Sequence, residues 1–207
     1  MEHVAASREF LNPAPLRVPL VLASASPRRA ELLRRAGYTF LVMPSETPEP
    51  EQKPAVVPVE IWPAVLALIK ARDVAARRPD AITLGADTIV EYRGNIINKP
   101  RDQVHAREIL MALSDTTHRV ITGIALLCGE HLRFASAISV CRMARLSADF
   151  LAEYLRSGQW RGRAGAYGIQ DLDTQVSLVS GEWSNVVGLP MELLRSELLS
   201  MDAVTKR

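Results

Sequence analysis

Ser24, Arg28 and Arg29 stand in the run Ser24-Ala25-Ser26-Pro27-Arg28-Arg29, directly after the apolar Pro19-Leu20-Val21-Leu22-Ala23. Small polar residues between an apolar strand and a proline that starts a helix suit phosphate. Unpaired N–H groups and the positive end of the helix dipole both point into such a turn. A serine hydroxyl and a guanidinium fork add donors for phosphate oxygens. The same run also reads as an ordinary helix start with two solvated arginines. Asp87 lies in Gly85-Ala86-Asp87-Thr88, after the apolar residues 81–84. A carboxylate at the end of a buried strand, with small residues before it, can sit on a cleft floor and hold a metal ion or take a proton from water. A turn aspartate capping the next element is the alternative reading. No Gly-x-x-x-x-Gly-Lys-Ser/Thr run occurs, so a P-loop is excluded.

Two lysines add to this set. Lys70 interrupts an apolar stretch and Lys99 precedes Pro100. Each is either a snorkelling surface residue or a charge that neutralises phosphate oxygens. Glu46, Glu49 and Glu51 lie in a proline-rich segment. One of them near Asp87 would complete a magnesium site, because that ion takes one or two carboxylates plus substrate phosphate. Residues 162–170 (Gly162-Arg163-Ala164-Gly165-Ala166-Tyr167-Gly168-Ile169-Gln170) are dense in small side chains, which lets backbone approach a flat ligand. Gln170 offers a donor and an acceptor to a base edge; the plain reading is a tight turn with Gln170 exposed.

The elements that must position these groups follow from periodicity and punctuation. Residues 19–23 predict a buried strand, 30–36 a helix ended by Gly37, and 40–43 a second strand. Residues 44–58 are a loop by composition, and 59–78 a helix with Pro63 in its first turn or at a kink. A strand at 81–84 runs into the Asp87 segment, and Gly94-Asn95 predicts a hairpin between 89–92 and 96–97. Residues 102–113 predict a helix with an acidic cap. Residues 119–128 and 132–146 predict long strands around Gly129-Glu130. A helix at 148–156, begun by Ser147 and closed by Gly158, a short strand at 176–179 and a helix at 192–201 complete the chain. Early alternation followed by long antiparallel strands argues for an α/β fold, with a mixed sheet curved around a cleft. Residues 1–18 are expected to be a loose leader to a single domain at 19–207.

Composition sets the boundaries. The chain has 207 residues, 48% hydrophobic and 23% charged, as in an ordinary soluble globular protein. A net charge of +2 is too small to demand nucleic acid or a membrane as partner. Cys128 and Cys141 lack metal or redox spacing and are expected to be small buried thiols; the four histidines are scattered. With no signal-peptide pattern and no membrane-length apolar run, the cytoplasm is the expected compartment.

Taken in order, Leu22-Ala23-Ser24-x-Ser26-Pro27-Arg28-Arg29, Lys70-Ala71, Gly85-Ala86-Asp87-Thr88, Lys99-Pro100, Thr122-Gly123, Ala164-Gly165-Ala166-Tyr167-Gly168-Ile169-Gln170 and Ser184-Asn185-Val186-Val187-Gly188-Leu189-Pro190 resemble the Maf family of nucleotide pyrophosphatases. The resemblance runs from about residue 18 to residue 194. It implies two lobes around a cleft, similar to inosine triphosphate pyrophosphatase. It also implies cleavage between the α- and β-phosphates of noncanonical or excess nucleotides. The cofactor it implies is a divalent metal ion, magnesium with manganese or cobalt as substitutes. Asp87 matches the family's catalytic acid, described as the proton acceptor; whether it is base or metal ligand stays open. Ser24, Arg28, Lys70 and Lys99 match residues lining the triphosphate site, and Glu49 the acidic residue that helps to hold metal.

Arg29, Thr88 and Gln170 match the triad of the branch acting on dTTP and UTP. The 7-methyl-GTP branch, with Gln in place of Thr88 and no Tyr-Gly-Ile-Gln segment, is similar to a lesser degree. Pro48, Arg163 and Asp171 depart from the pattern, standing where an acidic residue, a lysine and a glycine are usual. Homodimers are common among similar proteins. Two other classes stay open: a nucleotide-binding regulator of cell division, and a phosphate-recognising interaction module without chemistry.

Overall fold

The computed structural model describes residues 16–50, 52–172 and 174–204. Among the described residues seven strands form one open mixed sheet in the order β2-β1-β3-β5-β6-β7, with β4 also on β3. Strands β1 (Leu20–Leu22) and β2 (Phe40–Val42) are linked by helix α1 (Pro27–Arg35) and pair in parallel, and β1 pairs in parallel with β3 (Ile82–Tyr92). Helix α2 (Trp62–Arg77) is the crossover between β2 and β3. Short β4 (Asn95–Ile97), long β5 (Thr117–Cys128) and β6 (His131–Met143), and β7 (Val176–Ser180) add antiparallel pairs. Helices α3 (Gln103–Leu113), α4 (Ala148–Ser157), α5 (Trp183–Val187) and α6 (Met191–Val204) complete the fold.

Local chemistry accounts for the element ends. Pro27 opens α1 where its missing N–H costs nothing. Pro63 lies in the first turn of α2, so the helix is not kinked there. The side chains of Asp102 and Ser147 cap α3 and α4 by accepting from the amides of His105 and Phe150. Gly158 closes α4 at φ 71°, in the left-handed region.

Residue alternation on β3 gives the sheet two differently used faces. Ile82, Leu84 and Ala86 pack with Ile124, Leu126, α1 and α6 in one core. Val90 and Val120 join a second core with α3, α4 and the residues around Tyr167. Both cores lie on the same sheet face, and Thr88 paired with Thr122 sits between them. The opposite face is covered by α2, whose Ala64, Ala67 and Ala71 are buried. Helix and sheet approach closely because the sheet offers no side chain at two points. A Cβ on Gly123 would fall 2.0 Å from the Ala64 amide nitrogen, and one on Gly85 2.0 Å from the Ala67 carbonyl.

Several expectations need correction. The strand expected at 81–84 continues to Tyr92, so Asp87 lies in the middle of β3 rather than at a strand end. Helix α5 was not foreseen. Cys141 is buried but Cys128 is only half-buried. Of the expected leader, residues 1–15 lie outside the described residues, whereas Leu16 and Val18 pack against the α1 and α6 core. No helix among the described residues is long and apolar enough to cross a membrane.

Candidate active site

A mid-strand carboxylate reaches a cleft here because the edge of β3 is interrupted. On that edge β1 pairs with residues 82–84 and β4 with residues 90–92. Residues 85–89 face the gap between them. After β1 the chain turns through Ser24 into α1, and after β4 it turns through Lys99. A cavity of about 480 Å³ opens at this gap beside a second of about 430 Å³, and both have Glu49, Asp87, Thr88 and Lys99 in their walls. Ser24, Arg28, Arg29, Lys70 and Gln170 also line the larger cavity, so these nine of the residues singled out from sequence share one cavity.

Asp87 points to the α2 face. Its partner on β5 is Gly123, the position over which α2 packs most closely, and this brings Lys70 onto the carboxylate. Lys70 Nζ lies 2.5 Å from Asp87 Oδ1 and 2.9 Å from Glu49 Oε1. The Lys70 and Asp87 side chains are 12% and 11% exposed, so their pairing is shielded from water, whereas Glu49 is 45% exposed. Burial opposes ionisation of Glu49. The hydrogen bond from Lys70 and the charges of Lys70, Lys99 and Arg29 outweigh it and hold the carboxyl below its ordinary range. The other acidic residues of that loop behave differently. Glu46 pairs with Arg77 at 3.2 Å, on the outer part of α2, and Glu51 lies outside the described residues.

Thr88 points to the opposite face, into a network of fixed hydrogen bonds. The Arg29 guanidinium donates to the Gly188 carbonyl at 2.8 Å, the Ser24 hydroxyl at 2.9 Å and the Thr88 hydroxyl at 3.2 Å. The Thr88 and Thr122 hydroxyls lie 3.0 Å apart, and Thr122 donates to the Asn185 carbonyl at 2.9 Å. Asn185 is fully buried and its amide donates to the Val120 carbonyl and the Ser139 hydroxyl. Arg29 thereby ties the turn after β1 to Thr88 and Gly188 while lining the cavity beside Arg28, for which no such hydrogen bond is seen among the described residues. Burial, and then the charge of Arg163 on the far wall, push the Arg28 guanidinium below its usual range.

The far wall is the segment around the 3₁₀ turn Ala164–Ala166. Tyr167 is buried beneath it, its hydroxyl 2.6 Å from His118 Nε2. Burial pushes His118 down to about 4, so the ring is neutral, and pushes the Cys141 thiol beside Tyr167 up to about 11. Gln170 is exposed at the cavity rim, which satisfies both the plain reading and the reading as a cleft residue.

Sequence reasoning missed the Gly188 carbonyl and the Asn185 network. The signal available was a buried-type amide inside the apolar run Asn185-Val186-Val187; a backbone carbonyl leaves no signal.

Among the described residues no group of three acidic, histidine or cysteine side chains forms a metal cage. Asp87 and Glu49 instead converge on one Lys70 ammonium. Two carboxylates within reach of one point suit a hard divalent cation whose other ligands are phosphate oxygens and water. Chemically, the cleft combines an acid cluster with Lys70 and Lys99 on one side and a helix N-terminus with Arg28 on the other.

The chain is similar to known proteins over most of its length. It is 44% identical to the dTTP/UTP pyrophosphatase of Symbiobacterium thermophilum, over 83% of this chain and 88% of that protein. It is 43% identical to the dTTP/UTP pyrophosphatase of Salinibacter ruber, over 86% and 89%. It is 37% identical to that of Pyrococcus furiosus, over 83% and 90%. The family described as Maf-like protein matches residues 19–201. With the match spanning both faces of the interrupted strand and nearly the whole fold, this chain belongs to the Maf family.

Proposed function

We propose that the chain hydrolyses dTTP and UTP to the nucleoside monophosphate and pyrophosphate. The observation that carries this is Asp87, held by Lys70 in a sheet gap that faces the N-terminus of α1. The triphosphate lies along that turn, with the Ser24 hydroxyl, the first amides of α1 and Arg28 as donors to its oxygens. Water attacks the α-phosphorus, the bond from that phosphorus to the α,β-bridging oxygen breaks, and pyrophosphate leaves with the bridging oxygen. Lys70 and Lys99 stabilise the charge that builds on the leaving group. Asp87 either accepts the water's proton or holds the ion, and both roles require its carboxylate at this point. Asp87 and Glu49 are the residues that would hold a divalent metal, magnesium or in its place manganese or cobalt. That ion would polarise phosphate oxygens and make bound water more acidic.

The pyrimidine meets the far wall, where Gln170 offers paired hydrogen bonds to its edge. Arg29 and Thr88, bonded to each other, fix the strand between base and phosphate sites. Relatives bearing the name dTTP/UTP pyrophosphatase support this substrate class. A panel of UTP, dTTP, CTP, GTP, ATP and 7-methyl-GTP with magnesium tests the reading. The expected result is equal UMP and pyrophosphate from UTP, and slower turnover of the purines. A protein that binds UTP without product would instead be a regulator, and orthophosphate as sole product would contradict the reaction class.

We further propose a cytoplasmic enzyme, in keeping with two unpaired cysteines, and a homodimer. Support for the homodimer is the exposed apolar row of Leu132, Phe134 and Ile138 on one face of β6. Sedimentation should give a dimer that Phe134→Glu converts to monomer; a wild-type monomer would rule it out.

A further inference from the structure

The wall that carries Gln170 is a loop closed on itself by charge. Arg163, just before the turn Ala164–Ala166, forms an ion pair with Asp171, just after Gln170. The two side chains are 14% and 23% exposed, more sheltered than an ordinary surface pair. Gly168 lies directly beneath them: a Cβ there would fall 2.2 Å from Arg163 Nη1 and 2.7 Å from Asp171 Oδ2. The Asp171 amide donates to the Gly168 carbonyl at 3.0 Å, closing a turn around Ile169 and Gln170. Inside the loop the backbone is held in uncommon conformations, φ 70° at Gly165 and 61° at Ala166. A non-glycine residue keeps such a φ only where its surroundings impose it. Ala166, Tyr167 and Ile169 are buried in the core below, and Gln170 is left at the rim.

We propose that the ion pair of Arg163 with Asp171 is a clasp that sets where Gln170 presents its amide, which makes both residues positioning determinants of base discrimination. The inference rests on the reading of Gln170 as the group that meets the base. Arg163 and Asp171 are both departures from the usual family residues, and they touch each other, so the two changes act as one. The pair also keeps a counter-charge on Arg163, whose field reaches Arg28 across the cleft. The rival role for Arg163 is thus direct contact with phosphate.

The test uses the full-length enzyme with magnesium. Asp171→Asn, Arg163→Met, Arg163→Lys and, as reference, Gln170→Ala are each assayed with UTP, dTTP, CTP and ATP, with melting curves to confirm folding. Asp171→Asn and Arg163→Met should each reduce the preference for UTP over CTP roughly tenfold, as expected when a polar recognition group is misplaced. The loss should appear in KM, with kcat on UTP changed less than about twofold, because the clasp lies outside the reacting centre. Arg163→Lys should keep most of the preference, since it keeps the charge. Should Arg163→Met fail to fold, Asp171→Asn, which preserves size, carries the test.

An equal loss on all four nucleotides would overturn the clasp in favour of phosphate contact. An unchanged UTP/CTP ratio in Asp171→Asn, with Gln170→Ala altering it, would overturn the clasp and leave the base reading standing. If Gln170→Ala itself leaves the ratio unchanged, the base reading fails and the clasp with it.

Discussion

Asp87 and Thr88 are consecutive on β3, yet they belong to two differently built sides of one cleft. On the Asp87 side, two carboxylates converge on the Lys70 ammonium, with the exposed Lys99 nearby. Ion pairs of this kind can exchange partners when a cation or a polyphosphate enters. On the Thr88 side, Arg29 is committed to three acceptors and Thr122 and Asn185 continue the network into the core. A planar guanidinium fork with three of its five donors fixed in this way is a strut. Under the proposed function the two sides divide the labour: exchangeable charge at the reacting end, fixed hydrogen bonds where shape is kept. Strand alternation alone delivers it, since adjacent residues face opposite sides of a sheet.

The comparison breaks most readily at Asp87. Asp87→Asn should lower pyrophosphate release from UTP by on the order of a hundredfold or more while the protein stays folded. Circular dichroism with a steady-state assay would check this, and near-normal turnover would sink the assignment. Next in size is Gly123→Ala, which leaves every charged residue in place. The added methyl meets the α2 backbone at Ala64, so α2 must shift and carry Lys70 with it. Overpacking of this kind should lower the melting temperature by roughly 5 °C and activity along with it. Unchanged melting would show that the close approach is not what sets Lys70.

Arg29→Lys sharpens the comparison from the other side. A lysine cannot serve three separated acceptors, and unmet buried groups typically cost about 1–3 kcal/mol. Stability should fall and kcat/KM for UTP drop roughly tenfold; a loss of activity with no loss of stability would make Arg29 a phosphate ligand instead of a strut. The smallest effect is expected for Glu49→Gln, because that carboxylate is half-exposed. The magnesium concentration giving half-maximal rate should rise by no more than about fivefold. Its pH dependence has a definite sign. The carboxyl is depressed in the folded chain, so its pairing with Lys70 persists as pH falls through the ordinary glutamate range and is lost only below it. Wild type and Glu49→Gln should therefore differ at neutral pH and converge in acid.

How far the sequence spoke for itself differs between the two sides. The turn after β1 was readable because strand, small residues and Pro27 are local signals, and Asp102 and Ser147 announced their helices by the same kind of grammar. The meeting of Lys70 with Asp87 was not readable from spacing. It depends on α2 packing over glycines on two different strands, and neither Gly85 nor Gly123 declares what it lies against. Only the ordered set of motifs, through family resemblance, brought these residues together in advance. Asp87 was misplaced at a strand end because the small residues before it resemble a turn, whereas in the fold they make room for a helix. The tie between Arg29 and Gly188 spans 159 residues and ends on a carbonyl, which no side-chain pattern can reveal.

The most direct measurement separates binding from chemistry in Asp87→Asn. Calorimetry with UTP, set beside single-turnover pyrophosphate release, asks whether this carboxylate serves the reaction or only the site's shape. UTP affinity should be equal to or tighter than wild type, since a negative charge beside the phosphates is gone, with release almost abolished. Affinity lost in proportion to rate, or release close to wild type, would contradict it.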